Sequence, residues 1–99
     1  MPSPLLNYLE RGNPEQATIV LLHGFGMGHR MWQPQWAVLQ EQFHLVAPDL
    51  PGFAGSVACG PFTMTRAAST VIDLLQAVCH KPVHLCGLSL GAMVALQVA

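Results

Sequence analysis

Apolar residues gather in short runs and periodic stretches divided by turn-forming clusters. The strongest run, Thr18-Ile19-Val20-Leu21-Leu22, is continuous, the pattern of a strand covered on both faces. Residues 5–10 form a first strand that Gly12-Asn13-Pro14 ends, Leu45-Val46-Ala47 before Pro48 a third, and Val83-His84-Leu85-Cys86 after Pro82 a fourth. Between the second and third, Pro34 suits the first turn of a helix that directs Trp36 and Leu39 inward, with Trp32 packing near its entrance. Thr63 or Thr65 caps a longer helix in which Ala68, Val71, Ile72, Leu75 and Val78 follow the i, i+3, i+4, i+7 stripe. Residues 92–99 read as a further helix, still running at Ala99. This alternation predicts an α/β fold, a parallel sheet with right-handed crossover helices. Ligands of such sheets bind beyond the carboxyl ends of the strands. The glycine-rich segments after Leu22, Pro48 and Cys86 all fall on that edge.

Composition adds a constraint. Ninety-nine residues allow one small domain, below the usual size of a catalytic α/β enzyme. Hydrophobic residues make up 52% and charged residues 9%, against a charged share of about 25% in soluble domains. So little polar surface predicts that more polypeptide or a partner packs over the chain. Net charge is −1 and Arg11, Arg30, Arg66 and Lys81 are scattered, which leaves no electrostatic footprint for nucleic acid. Met1-Pro2-Ser3-Pro4 lacks the basic and apolar regions of a signal peptide, and no apolar run approaches the roughly 18 residues of a membrane span. The expectation is a cytoplasmic protein that engages neither membrane nor nucleic acid. Cys59, Cys79 and Cys86 lack metal-type spacing and read as buried free thiols, so neither metal nor cofactor is expected.

The candidate chemistry lies in Gly87-Leu88-Ser89-Leu90-Gly91, a G-x-S-x-G pentapeptide between a strand and a helix. That spacing serves a sharp strand-to-helix turn, in which a strained serine needs small neighbours at minus two and plus two. The bare pattern also arises by chance in glycine-rich loops, but the flanking strand and helix favour a nucleophile elbow. His23-Gly24-Phe25-Gly26 follows the second strand and brings backbone N–H groups to the same crevice. With Ser89 as nucleophile, the N–H groups of Phe25 and Leu90 are the expected oxyanion donors. A dinucleotide site is the competing reading of Gly24-Phe25-Gly26 with Asp49. His29 stands where that fingerprint needs a glycine, and no helix opens promptly.

With His23-Gly24-Phe25-Gly26, Asp49-Leu50-Pro51-Gly52-Phe53-Ala54-Gly55-Ser56 and Gly87-Leu88-Ser89-Leu90-Gly91 in order, the chain resembles the N-terminal part of an α/β-hydrolase of the esterase, lactonase and haloperoxidase-like branch. The resemblance implies a partial α/β-hydrolase fold over residues 1–99, with a mostly parallel sheet, ending within the helix after the elbow. It also implies a Ser-acid-His triad in that chain order, with Ser89 as nucleophile, Phe25 and Leu90 as oxyanion donors, and the acid and histidine beyond Ala99. Ala54 replaces the second glycine usual in the middle motif, and Ala92 is a mild departure in the helix.

No residue in hand is expected to replace the missing base. His23 belongs to its turn, His84 packs beside the sheet, His80 fits a helix C-terminus, and His44 starts a strand at the opposite edge. His29 reads as a substrate-contacting or solvated loop residue, and Asp49 as ordering its own turn rather than pairing with a histidine. Met27, Met31, Trp32 and Phe53 gather at the site edge, where Met27 and Trp32 are candidate walls of an apolar acyl pocket; core filling is the alternative. The expected activity is cleavage of a small carboxylic ester, thioester or lactone through an acyl-serine, negligible for these residues alone. A non-catalytic, partner-binding product with an unpaired last strand is an alternative, and lyase, acyltransferase or cofactor-free peroxidase chemistry on the same fold another.

Overall fold

In the computed structural model, which describes residues 5–99, the strands are β1 (Tyr8–Arg11), β2 (Thr18–Leu22), β3 (His44–Pro48) and β4 (Val83–Gly87). The helices are α1 (Gln33–Leu39), α2 (Met64–Val78) and α3 (Leu90–Val98). The reading of Met1-Pro2-Ser3-Pro4 lies outside the described residues. The sheet order is β1-β3-β2-β4, with β2 parallel to both β3 and β4.

The sheet is mostly parallel, as expected, with one antiparallel edge strand. β1 runs antiparallel to β3, pairing Tyr8 with Pro48 and Arg11 with Leu45. Parallel strands need a crossover of a dozen or more residues, and the segment from Arg11 to Thr18 is far shorter. β1 also starts later than residue 5, because Asn7 is held outside the strand by Ser56 Oγ (2.9 Å) and Asp49 Oδ2 (2.8 Å).

The crossover from β2 to β3 moves toward β1, and that from β3 to β4 returns across β2. Right-handed crossovers in opposite directions place their helices on opposite faces. Val20, Leu22 and Val46 accordingly pack with Ala67, Val71 and Leu74 of α2 and Val94 of α3 in the main core. Ile19 and Leu21 face the other way, toward Trp32, Leu39 and Phe43. Thr63 is the cap of α2, its hydroxyl accepting from Arg66 N–H at 3.0 Å. The inward stripe of α2 is rotated from the expected one: Leu74 is buried, whereas Ile72 lies on the exposed side. Packing of α2 against α3 as well as the sheet selects the Ala67–Val71–Leu74 line from two that fit the same period.

The second face is thinly covered. Trp36 and Leu39 are only half-buried, and a groove of about 440 Å³ remains between α1 and the β2–β4 floor. Two expectations fail there. His84 and Cys86 are exposed, since alternation along β4 turns Val83 and Leu85 inward and leaves these two on the open groove. Cys59 and Cys79 are half-buried, and all three thiols are free. Burial, helped by the charge of Glu10, pushes the Cys79 thiol above its usual pKa. Among the described strands β4 pairs only with β2. Beside it Leu88 and Met93 are exposed and Leu96 is 80% exposed. This apolar surface is where the low charge content is expressed. No helix of the described residues is long and apolar enough to cross a membrane.

Candidate active site

The strand order reverses at β2, and the crevice of such a sheet opens where neighbouring crossovers leave in opposite directions. The elbow after β4 and the turn after β2 meet there. Leu88 N–H donates to Leu22 O (3.1 Å), carrying the β2–β4 ladder one residue past the strand. The chain then reverses at Ser89, whose φ of 52° and ψ of −109° lie where side chains are rarely tolerated. Met93 N–H bonds Ser89 O (3.2 Å) and starts α3. Serine at a helix N-cap ordinarily spends its hydroxyl on the backbone. Here it makes no side-chain cap bond, so Oγ is left at the exposed tip of the elbow.

Close packing explains both flanking glycines. A Cβ on Gly87 would lie 2.4 Å from the Gly91 carbonyl, and one on Gly91 would lie 2.1 Å from Leu22 O. The other turn lies against the elbow: a Cβ on Gly24 would sit 3.6 Å from Leu88 O. Met27 N–H closes that turn on Gly24 O (3.2 Å), which places Phe25 at its first corner with an N–H that the closure does not use. Leu90 is the first residue of α3, where amides have no intrahelical acceptor. The ring of Phe25 is 77% exposed and meets Phe53 edge-on at 5.5 Å. Met27 is exposed beside Gly24, 4.0 Å from the position of its absent Cβ. Trp32 instead lines the groove with Ile19 and Leu21, its buried Nε1 without a described partner.

A family model described as the alpha/beta hydrolase family matches residues 19–99, the stretch that contains the turn, the middle loop and the elbow. The chain belongs to the alpha/beta hydrolase family. Within this family it is 37% identical over 84 residues to 3-oxoadipate enol-lactonase 1 of Acinetobacter baylyi, covering 84% of this chain and 32% of that protein. It is 41% identical over 81 residues to a pimeloyl-[acyl-carrier protein] methyl ester esterase of Pectobacterium atrosepticum, covering 82% and 30%. A thermophilic esterase from Thermogutta terrifontis superposes with a TM-score of 0.80 at 29% identity, covering 94% of this chain and 34% of that one. The chain thus spans about a third of the length of these relatives.

In this alpha/beta hydrolase chain no described side chain holds Ser89 Oγ, and each histidine is engaged elsewhere or stands apart. His23 is fully buried: its Nε2 accepts from Leu50 N–H (2.9 Å), so Nδ1 carries the proton and donates to Gly24 O (2.8 Å). His44 is buried at the opposite edge, joined to Thr18 Oγ1 (2.8 Å) and Glu10 Oε2 (2.5 Å). Hydroxyl, imidazole and carboxylate stand in a row there, but Thr18 is itself only 2% exposed, and the row ties β2, β3 and β1 together. His80 and His84 are exposed.

His29 and Asp49 differ from expectation. The fully buried Asp49 pairs with His29 Nδ1 (2.9 Å) and accepts from its N–H (2.7 Å), while the His29 ring stacks on Trp36. These partners lie 20 residues apart on separate loops. No local pattern reveals such a pair; an aspartate after a buried strand, facing a histidine-bearing loop on the same edge, is the only signal the sequence carries. Burial raises the Asp49 pKa, but hydrogen bonds from His29, Asn7 and Gly55 outweigh it and hold the carboxyl below its ordinary value. Burial also holds His23 below its ordinary value, against the raising effects of the Gly24 carbonyl and the Asp49 charge.

Both shifts favour the fold at neutral pH. A depressed histidine means that the unfolded chain binds the proton first, so the His23 contribution is present above 6.5 and is lost as pH falls below it. The Asp49 contribution is present above 3.8 and is lost as pH falls through its lowered folded pKa. Urea unfolding from about pH 7.5 to 5.5 is expected to show a falling midpoint, with a smaller fall in His23→Gln. Equal slopes in the two proteins would contradict the buried neutral imidazole.

Proposed function

We propose that this chain carries the nucleophile and oxyanion donors of a serine hydrolase that cleaves a carboxylic ester, thioester or lactone through an acyl-Ser89 intermediate. The observation that carries this reading is Ser89 itself: a strained residue at the head of α3, its hydroxyl unspent on capping, beside the Gly24 turn. Relatives named as an enol-lactonase and a methyl ester esterase support the substrate class.

Ser89 Oγ attacks the carbonyl carbon, and its proton passes to a general base. The N–H groups of Phe25 and Leu90 stabilise the oxyanion as it forms, an arrangement worth about 10²–10³ in rate for each donor. As the intermediate collapses the bond to the leaving alkoxide or thiolate breaks, and the base returns its proton to that group. Water then hydrolyses the acyl-serine by the same steps. The base in this reading is supplied from outside residues 1–99, since no described histidine makes a hydrogen bond to Ser89 and His23, His29 and His44 are bonded to other groups. Met27 forms an apolar wall beside the oxyanion turn, whereas Trp32 lines the groove under α1 and is not part of that wall.

A fluorophosphonate probe tests this. The expected result for the 99-residue chain is an adduct on Ser89 alone, forming slowly, because the oxyanion donors retain part of the rate without the base. No adduct at Ser89 after prolonged incubation would sink the nucleophile. Labelling as fast as in intact triad enzymes would mean that a base lies within these residues.

A further inference from the structure

The turn that presents Phe25 is held at both ends by two adjacent residues of the loop after β3. At its start, Leu50 N–H bonds His23 Nε2 (2.9 Å) and His23 Nδ1–H bonds Gly24 O (2.8 Å). At its end, Asp49 Oδ1 takes both the N–H and the Nδ1–H of His29 (2.7 and 2.9 Å). The other carboxylate oxygen accepts from Asn7 Nδ2 (2.8 Å) and Gly55 N–H (3.0 Å), so the anchor is tied to the segment before β1 and to its own loop. Gly28 permits the approach: a Cβ there would lie 3.0 Å from Asp49 Oδ1 and 2.8 Å from Ala54 Cβ. Ala54 in turn keeps a left-handed φ of 45°, at the position where the family pattern has glycine.

Resting on the serine-hydrolase reading, we propose that Asp49 is a positioning residue for that reaction: acting through His29, its buried carboxylate sets where the Phe25 N–H stands relative to Ser89. All four described partners donate, so only a carboxylate satisfies them; an amide offers one acceptor oxygen and turns its NH₂ group against two donors. An oxyanion donor acts only within about 2.7–3.1 Å of the developing charge. A turn displaced by about 1 Å therefore slows the chemical step.

The experiment compares the 99-residue chain with Asp49→Asn and with the double variant Asn7→Asp/Asp49→Asn, which reverses one donor–acceptor pair and restores it. Two quantities are read. One is amide hydrogen exchange at Met27 and Met31, whose N–H groups close on Gly24 O and Gly28 O (both 3.2 Å) without touching Asp49, with Val20 as the reference. The other is the rate of Ser89 modification by a fluorophosphonate. In Asp49→Asn, exchange at Met27 and Met31 is expected to rise about 10-fold relative to Val20, and labelling to slow about 10-fold. The double variant recovers part of both. Unchanged Met27 and Met31 protection in folded Asp49→Asn overturns the proposal, and so does an unchanged labelling rate. Should Asp49→Asn not fold, Asn7→Ala removes a single donor, and smaller changes in the same directions support the proposal while none overturns it. A wild-type chain whose Ser89 never reacts refutes the hydrolase reading instead, and the exchange measurements still decide whether Asp49 holds the turn.

Discussion

Gly91→Ala is expected to lower the melting temperature by about 12 °C or more, the largest loss of any conservative substitution in the elbow. The added Cβ would stand 2.1 Å from Leu22 O, 2.6 Å from Leu22 C and 2.7 Å from His23 O, all backbone atoms at the carboxyl end of the central strand. Side chains yield by changing rotamer, but a carbonyl paired in a ladder does not. Leu22 O already accepts from Leu88 N–H, so any retreat also breaks the bond that joins the elbow to the sheet. Overpacking of this severity costs roughly 3 kcal/mol or more, and each kcal/mol moves the midpoint of a 60–100-residue domain by about 4–8 °C. Gly26→Ala is the control. Its φ is +73° but nothing lies within 4 Å, so it carries only the backbone cost of about 1–2 kcal/mol. Thermal unfolding by circular dichroism reads both. Gly91→Ala melting no lower than Gly26→Ala would mean that α3 does not pack on β2 as closely as described.

Features fixed by neighbours in the chain were legible in the sequence. Thr18–Leu22 is buried but for a half-buried Ile19, and its continuous apolar run says so without reference to anything distant. The elbow was equally plain, because strand, small residues and helix all lie within a dozen positions. The direction of β1 could have been read as well: too few residues separate Arg11 from Thr18 for a parallel crossover. What escaped depends on contacts between distant segments. Ile72 and Leu74 fit helical stripes equally well from different origins, and only the packing of α3 against α2 decides which is buried. Cys86 ends an apolar-leaning run and so reads as buried, yet it lies on the face of β4 that borders the open groove beside α1. The pairing of His29 with Asp49 joins two loops whose approach follows from the order β3-β2 in the sheet, a property of topology rather than of either loop.

Ser89→Gly is expected to stabilise the fold by about 1 kcal/mol while reducing covalent labelling by about 10³-fold or more. At φ 52° and ψ −109° a residue with a Cβ carries strain of about 1–3 kcal/mol, which glycine does not. Part of that relief is offset by the greater freedom of glycine in the unfolded chain. Ser89→Ala separates strain from chemistry. It keeps the Cβ and loses only a hydroxyl that makes no cap bond, so its stability should match wild type within about 0.5 kcal/mol although labelling is equally lost. The order expected from urea unfolding is therefore glycine above serine, with serine and alanine together. That order would mean that serine at 89 is the less stable choice for the backbone and contributes nothing to the fold through its hydroxyl, leaving the reaction at Oγ as the role that accounts for it. A glycine variant less stable than wild type would show that the elbow is not strained, and that Oγ is held by a contact the fold depends on.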